Sequence, residues 1–254
     1  MQYLKSRIRN NHFLIGSWIT LPNNSIAEIM SRAGFDWLAI DLEHSSITIQ
    51  DAEELIRVID LCNVFPFVRL TSINKNQTKR ILDAGARGVI VPMVNSHNDI
   101  QEIVDYLKYP PLGNRSVGLA RAQGYGNKFK DYLKIEKKEI ALIIQIEHIE
   151  AVNNIENIFS SKYIDGYLIG PYDLSMSLGI PGEFDNPDYI KAVKKINKAA
   201  LKFKITSGIH IVEPDIGLLK KAIKDKYKFI AYSLDIRMID VMSRQALDKL
   251  KKIR

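Results

Sequence analysis

The chain has 254 residues, 46% hydrophobic and 26% charged, and its 36 Lys and Arg against 29 Asp and Glu give a formal net charge of +7. Those proportions exclude a disordered chain, a collagen and a coiled coil. The lone cysteine, Cys62, excludes an intrachain disulfide, and no apolar run approaches the roughly 18 residues that cross a bilayer. The basic start, Met1–Asn10, is not followed by the apolar stretch and small-residue cleavage site of a signal peptide, so a cytoplasmic location is expected. The lysines fall on helical faces: Lys194, Lys195 and Lys198, then Lys220, Lys221 and Lys224, then Lys249, Lys251 and Lys252. No aromatic residues interleave with them as single-strand stacking requires, so neither nucleic acid nor membrane is expected as a partner.

Short apolar runs alternate with amphipathic stretches along the whole chain. The runs Phe13–Thr20, Asp36–Glu43, Phe65–Leu70, Gly88–Val94, Ile140–Glu147, Tyr163–Gly170, Lys204–Ile211 and Phe229–Asp235 predict eight strands. Several are nearly continuous and β-branched, as strands buried on both faces of a parallel sheet are. The intervening helices are predicted at Ser25–Ala33, Ile49–Leu61, Asn74–Ala84, His97–Lys108, Glu150–Ser160, Pro187–Phe203, Pro214–Lys226 and Ile236–Ile253. Ser25 is expected to cap the first of these, with Glu28 completing a capping box. Gly34 and Gly85 stand where helix C-terminal glycines belong. Eight strand–helix units at about 32 residues each predict a single-domain (β/α)8 barrel. A doubly wound sheet is disfavoured, because no GxGxxG follows the first strand. The long irregular stretch Tyr109–Lys130 is expected to serve function or assembly.

Chemistry in such barrels sits at the carboxyl ends of the strands. Those ends read Asp41-Leu42-Glu43-His44, Arg69, Gln145-Ile146-Glu147, Gly170-Pro171-Tyr172-Asp173, His210 and Asp235. Glu147 and Asp173 are the candidate metal ligands, since two carboxylates with substrate oxygens suit a hard divalent ion such as Mg2+ or Mn2+. His44 is a candidate acid/base with an ordinary pKa near working pH. Arg69 closes a buried run and is expected to face carboxylates or an anionic substrate. None of the eight runs ends in lysine, which favours a metal route over a Schiff base. His12, His97 and His148 lack comparable context.

At these residues the sequence resembles the HpcH/HpaI aldolase family, the class II pyruvate aldolases. The matching segments include Gly34–His44, Leu82–Ala86 with Val89–Val94, Tyr109–Gly118, Ala120–Ala122, Gln145–Glu147 and Asp165–Ser175. The resemblance implies a (β/α)8 barrel, a homohexamer whose C-terminal helix (236–253) packs on a neighbouring subunit, and a divalent cofactor, Mg2+, Mn2+ or Co2+. It implies reversible cleavage of a 4-hydroxy-2-oxo acid to pyruvate and an aldehyde. By position it assigns Glu147 and Asp173 to the metal, and His44, Asp83 and Arg69 to catalysis with Asp83 as the partner of His44. Gln145 falls in the pocket near the metal. Trp18, Tyr172, Asp173 and His210 are further candidate substrate contacts. The short helix after Pro171 is expected to open at Leu174.

Two positions depart from the family pattern: Leu42 replaces a glycine, and Tyr172 replaces a small residue before the metal aspartate. Tyr172 and His210 together suggest a polar, sugar-like aldehyde. Two alternatives remain at this stage, a CoA-thioester lyase of the citrate lyase beta or malyl-CoA lyase type and a non-catalytic barrel used as a binding protein.

Overall fold

The computed structural model describes residues 3–251 and contains one closed, all-parallel barrel in which every strand pairs with its sequence neighbour and β8 returns to β1. The strands are β1 (Leu14–Ile19), β2 (Trp37–Asp41), β3 (Phe65–Arg69), β4 (Gly88–Val91), β5 (Ala141–Ile146), β6 (Gly166–Ile169), β7 (Gly208–Ile211) and β8 (Phe229–Leu234). All eight lie within the predicted runs. Only β6 and β7 begin more than one residue later than the predicted runs, at Gly166 and Gly208. Lys204 takes a left-handed backbone (φ 57°) at the end of the preceding helix, and Thr206 contributes only an isolated bridge.

The helices outside the barrel are α1 (Leu4–Arg9), α2 (Asn24–Arg32), α3 (Ile49–Leu61), α4 (Lys75–Ala84), α5 (His97–Leu107), α6 (Phe129–Glu139), α7 (Ile149–Asn153), α8 (Ile155–Phe159), α9 (Pro171–Ser177), α10 (Pro187–Phe203), α11 (Ile216–Lys224) and α12 (Asp235–Lys251). Several differ from the sequence reading. The cap of α2 is Asn23, whose side chain accepts from the N–H groups of Ser25 and Ile26, and not Ser25. The predicted helix 150–160 breaks at Asn154 into α7 and α8. The long loop folds into a 3-10 turn over Arg121–Gly126 and then α6. Helix α9 opens at Pro171 rather than Leu174, with proline at its first position. The predicted end of the last helix at Ile253 lies outside the described residues.

Register decides what faces the barrel interior. Alternate residues point inward, and their lower layer is aromatic: Trp37 stacks on Phe229 with centroids 4.3 Å apart, and Phe67 meets both rings edge-on at 5.6 Å. Gly16 and Gly88 make room for it, since a Cβ at either would lie 2.0 Å from Trp37 or 2.1 Å from Phe67. Leu4 and Ile8 of α1, one turn apart, plug the amino end and join this inner cluster. The outer cluster lies between strands and helices and forms the larger core. Burying such side chains stabilises by about 1.5–3 kcal/mol each. Among the described residues no helix is long and apolar enough to cross a membrane.

Candidate active site

The parallel ladder sets the strand ends side by side at one mouth. Asp41 pairs directly with Arg69 across β2 and β3. The guanidinium donates to both oxygens of Asp41, Nε at 2.8 Å and Nη2 at 2.6 Å, and its Nη1 lies 3.3 Å from Glu43. Burial opposes the charge on Arg69, but the bonds from Asp41 and the charges of Asp41, Glu43 and Glu147 outweigh it and hold its pKa above the ordinary value. The Asp41 carboxylate also accepts from the backbone N–H groups of Glu43 (3.0 Å) and His44 (3.3 Å), which fixes the turn that carries the histidine. Burial would raise the Asp41 pKa, yet the Arg69 bonds and these N–H groups bring it below the usual carboxylate range. The other face of the guanidinium lies 4.5 Å above the ring of Trp18, whose far neighbour is His210 with ring centroids 5.5 Å apart.

Glu147 stands just beyond β5. Its Oε1 accepts from the Met93 N–H at 2.7 Å, and its Oε2 accepts from Gln145 Nε2 at 2.5 Å. Met93 supplies that bond from a left-handed backbone (φ 53°), local strain of a kind concentrated at functional sites. Gly170 gives Glu147 its space, since a Cβ there would come within 2.7 Å of Oε2. Asp173, in the first turn of α9, is exposed and has no hydrogen-bond or ion-pair partner among the described residues. Burial, against the Met93 bond, and the charges of Glu43 and Asp173 push Glu147 up to about 7. Glu43 is likewise pushed up to about 7 by burial, against Arg69, and by Asp41 and Asp173.

These residues fit a hard divalent cation. The charges of Glu43 and Asp173 raise the pKa of Glu147, Gly170 leaves a cradle that a Cβ would fill, and the buried Gln145 Oε1 has no partner. Among the described residues no three His, Cys, Asp or Glu side chains are drawn together as a metal cluster, so a cation here would take the remainder of its ligands from substrate and water. Trp18 Nε1 and His210 Nε2 are also covered and unpartnered.

The structure brings Trp18, Arg69, Gln145, Glu147, Tyr172, Asp173 and His210 to one end of the barrel, with His44 at its rim. It does not bring Asp83 to His44. Asp83 lies in the last turn of α4, which runs down to the amino end of β4, and its carboxylate is taken by Arg115 Nη2 (2.6 Å) and Gln123 Nε2 (3.1 Å). The His44 ring is mostly exposed and its nearest carboxylate is Glu43, 3.7 Å from Nε2. Elsewhere, His148 caps α7 and His97 contacts the Asn157 carbonyl. The sequence reading left Asp41, Glu43 and Met93 without roles. The two carboxylates were visible at the end of the second run, but their contact with Arg69 is a cross-strand event that local spacing does not show.

Carboxylates gathered at the carboxyl end of a (β/α)8 barrel stand where the enzymes of this fold keep their chemistry, so the site defines the class as a barrel enzyme. The comparisons narrow it: residues 14–240 match the model of the HpcH/HpaI aldolase/citrate lyase family, and the chain belongs to that family. It is 34% identical over 255 residues to a hydroxypyruvate/pyruvate aldolase of Paraburkholderia phytofirmans, covering 98% of this chain and 97% of that one. It is 34% identical over 237 residues to a 2-keto-3-deoxy-L-rhamnonate aldolase of Klebsiella pneumoniae, covering 92% of this chain and 86% of that one. Among solved structures, an HpcH/HpaI aldolase/citrate lyase family protein of Burkholderia cenocepacia superimposes with a TM-score of 0.92 at 31% identity, covering 98% of each chain. The chain is therefore a carbon–carbon lyase of the aldolase type.

Proposed function

We propose that this chain cleaves a 4-hydroxy-2-oxo acid reversibly to pyruvate and a polar aldehyde, with Glu147 and Asp173 holding Mg2+, Mn2+ or Co2+. The observation that carries the reading is the buried Glu147, held by the Met93 N–H and Gln145 with Gly170 leaving room beside it, at a mouth whose cation, Arg69, is already bonded to Asp41. The names of the relatives, which include a pyruvate aldolase and a deoxy-sugar-acid aldolase, support the substrate class.

When bound, the cation supplies Lewis acidity toward the carboxylate and 2-oxo oxygen of the substrate. The chain's own residues do the rest. In the cleavage direction the 4-hydroxyl loses its proton, the C3–C4 pair of electrons moves onto the keto-acid half, and the aldehyde leaves. Arg69, fixed in its cationic form and braced by Asp41, donates hydrogen bonds to the developing oxyanion. His44, positioned through the Asp41–N–H bond, takes the 4-hydroxyl proton and returns a proton to C3 of the enolate. Gln145 holds Glu147 through Nε2 and keeps Oε1 for the substrate side. Trp18, Tyr172 and His210 line the space beside them. Asp83 would meet His44 only from a second copy of the chain, since within one chain it lies by the amino end of the barrel.

Assembly through α12 belongs to the same reading. Ile236, Ile239 and Met242 lie exposed at near-helical spacing along it, an apolar stripe that suits a neighbouring subunit, in a hexamer in the cytoplasm. The test is pyruvate release from a free 4-hydroxy-2-oxo acid with and without EDTA. Activity that stops on chelation and returns with Mn2+ is expected; turnover indifferent to chelation, or keto acid trapped on lysine by borohydride, refutes the reading.

A further inference from the structure

Between α9 and α10 the chain makes a short loop, residues 178–186, that carries Phe184 to the rim of the mouth. Its ring meets Tyr172 edge-on, with centroids 5.2 Å apart and planes at 85°, and it packs on Tyr189 of α10 at 5.4 Å. Tyr189 is buried, so the three rings form a row that runs from the core to the residue beside Asp173. Tyr172 and Phe184 stay 51% and 36% exposed. Both line a cleft of about 580 Å³ that takes in His210 at the end of β7 and continues between α10 and α11 to Tyr227; Asp173, next in the chain to Tyr172, lies outside its lining.

The row is held in place by one buried side chain. Ser175 is fully buried, its Oγ donates to the Tyr172 carbonyl at 2.7 Å and accepts from the Gly182 N–H at 2.9 Å. Its carbonyl accepts from the Ile180 N–H at 3.0 Å. A single hydroxyl thus ties the first turn of α9, which carries Asp173, to the loop that carries Phe184. Two aromatic rings paired edge-to-face on the wall of a cleft give the large, oriented apolar surface that ligand pockets use.

We propose that Tyr172 and Phe184 form the wall along which the carbon chain of the aldehyde lies, with Phe184 a specificity-determining residue for acceptor length and Ser175 the positioning residue that keeps this wall in register with Asp173. The inference rests on the aldolase reading above. The C–H face of a hydroxylated aldehyde of three or more carbons covers an aromatic ring, while its hydroxyls stay turned toward Tyr172 Oη and His210. A two-carbon aldehyde ends before the wall. A methyl group in such a contact is worth roughly 10–200-fold in discrimination.

The experiment compares lactaldehyde with glycolaldehyde as acceptors for pyruvate, and follows C3 proton exchange of pyruvate in D2O in parallel. In Phe184→Ala the ratio of kcat/KM for lactaldehyde over glycolaldehyde is expected to fall about tenfold while exchange persists. Ser175→Ala, which keeps both rings, is expected to lower the same ratio. Tyr172→Phe retains most of it and Tyr172→Ala does not. An unchanged ratio in Phe184→Ala, with exchange present, overturns the wall. A ratio unchanged in Ser175→Ala, whatever its melting temperature, overturns the positioning role. A fall that coincides with an altered oligomeric state on size exclusion makes the rings a subunit contact and overturns the proposal. Absence of exchange in the unmodified protein with Mn2+ instead overturns the aldolase reading on which it stands.

Discussion

At the amino end of the barrel, Asp36 is met by Arg7, Asp60 by Arg87 and Arg121, Glu139 by Arg87, and Asp165 by Lys5 and Arg9. At the carboxyl end, Glu43 and Glu147 are buried enough to be pushed up to about 7, Asp173 has no partner among the described residues, and Arg69 is committed to Asp41. The same residue types are used at both ends. One end compensates every buried carboxylate and the other gathers carboxylates faster than cations. Folding alone favours the first arrangement, so the second is the mark of a group supplied from outside.

This contrast is breakable by measurement. The largest effect is expected for Glu147→Gln, which removes one of the two carboxylates proposed to hold the ion: activity falls by roughly 10³-fold while far-ultraviolet circular dichroism is unchanged and the melting temperature holds or rises, because a repulsion is relieved. A variant that instead unfolds would mean that Glu147 is structural, like its counterparts at the other end. Next is Arg69→Lys, which keeps the charge and loses the two-pronged bond to Asp41. A fall of about 10²-fold in kcat/KM is expected, against near-normal rates if only charge matters there.

The amino end should behave in the opposite sense. Asp165→Ala strands Lys5 and Arg9 and frees the Leu142 N–H. Chemical denaturation is expected to show a loss of about 3–5 kcal/mol, with the residual folded protein turning over normally. The mouth also sets a pH signature. Burial, with Arg69 nearby, holds the His210 ring down at about 3, against the Ser233 carbonyl and Asp41. Its folded pKa is depressed, so the stability it contributes is complete above pH 6.5, its unfolded value, and drains as pH falls toward 3. Urea midpoints of His210→Phe should therefore lack part of the acid slope seen in the unmodified protein; parallel slopes would show that the ring takes up its proton alike in the folded and unfolded chain. The smallest effect belongs to an exposed pair, Lys202 with Glu156 at 2.7 Å. Lys202→Ala should change stability by less than about 1 kcal/mol, which separates buried from surface compensation.

Much of this was legible in the residues. Runs such as Gly88-Val89-Ile90-Val91 announce strands covered on both faces, and their polar ends announce the mouth. What was missed depends on contacts remote in the chain. Leu4 and Ile8 sit at helical spacing, but six residues of α1 are helical because the barrel floor needs a plug, not because of their propensity. Helix α6 buries only Tyr132 and Glu136, so its Lys- and Glu-rich sequence carries little periodic signal. Asp83 was assigned by position, and only the course of α4 shows which end of the barrel it occupies. The pairing of Asp41 with Arg69 spans 28 residues and follows from register alone.

The rings of Tyr172 and Phe184 stand outside the strand ladder, half in water, and no strand depends on them for its place. Replacements at such sites usually shift folding free energy by no more than about 0.5 kcal/mol. A lineage can therefore change these two rings by small steps without approaching the threshold at which the protein is lost, while the floor of the mouth stays locked by Arg69 and Asp41. Variation, in a fold like this one, is cheap at the edge and costly at the centre.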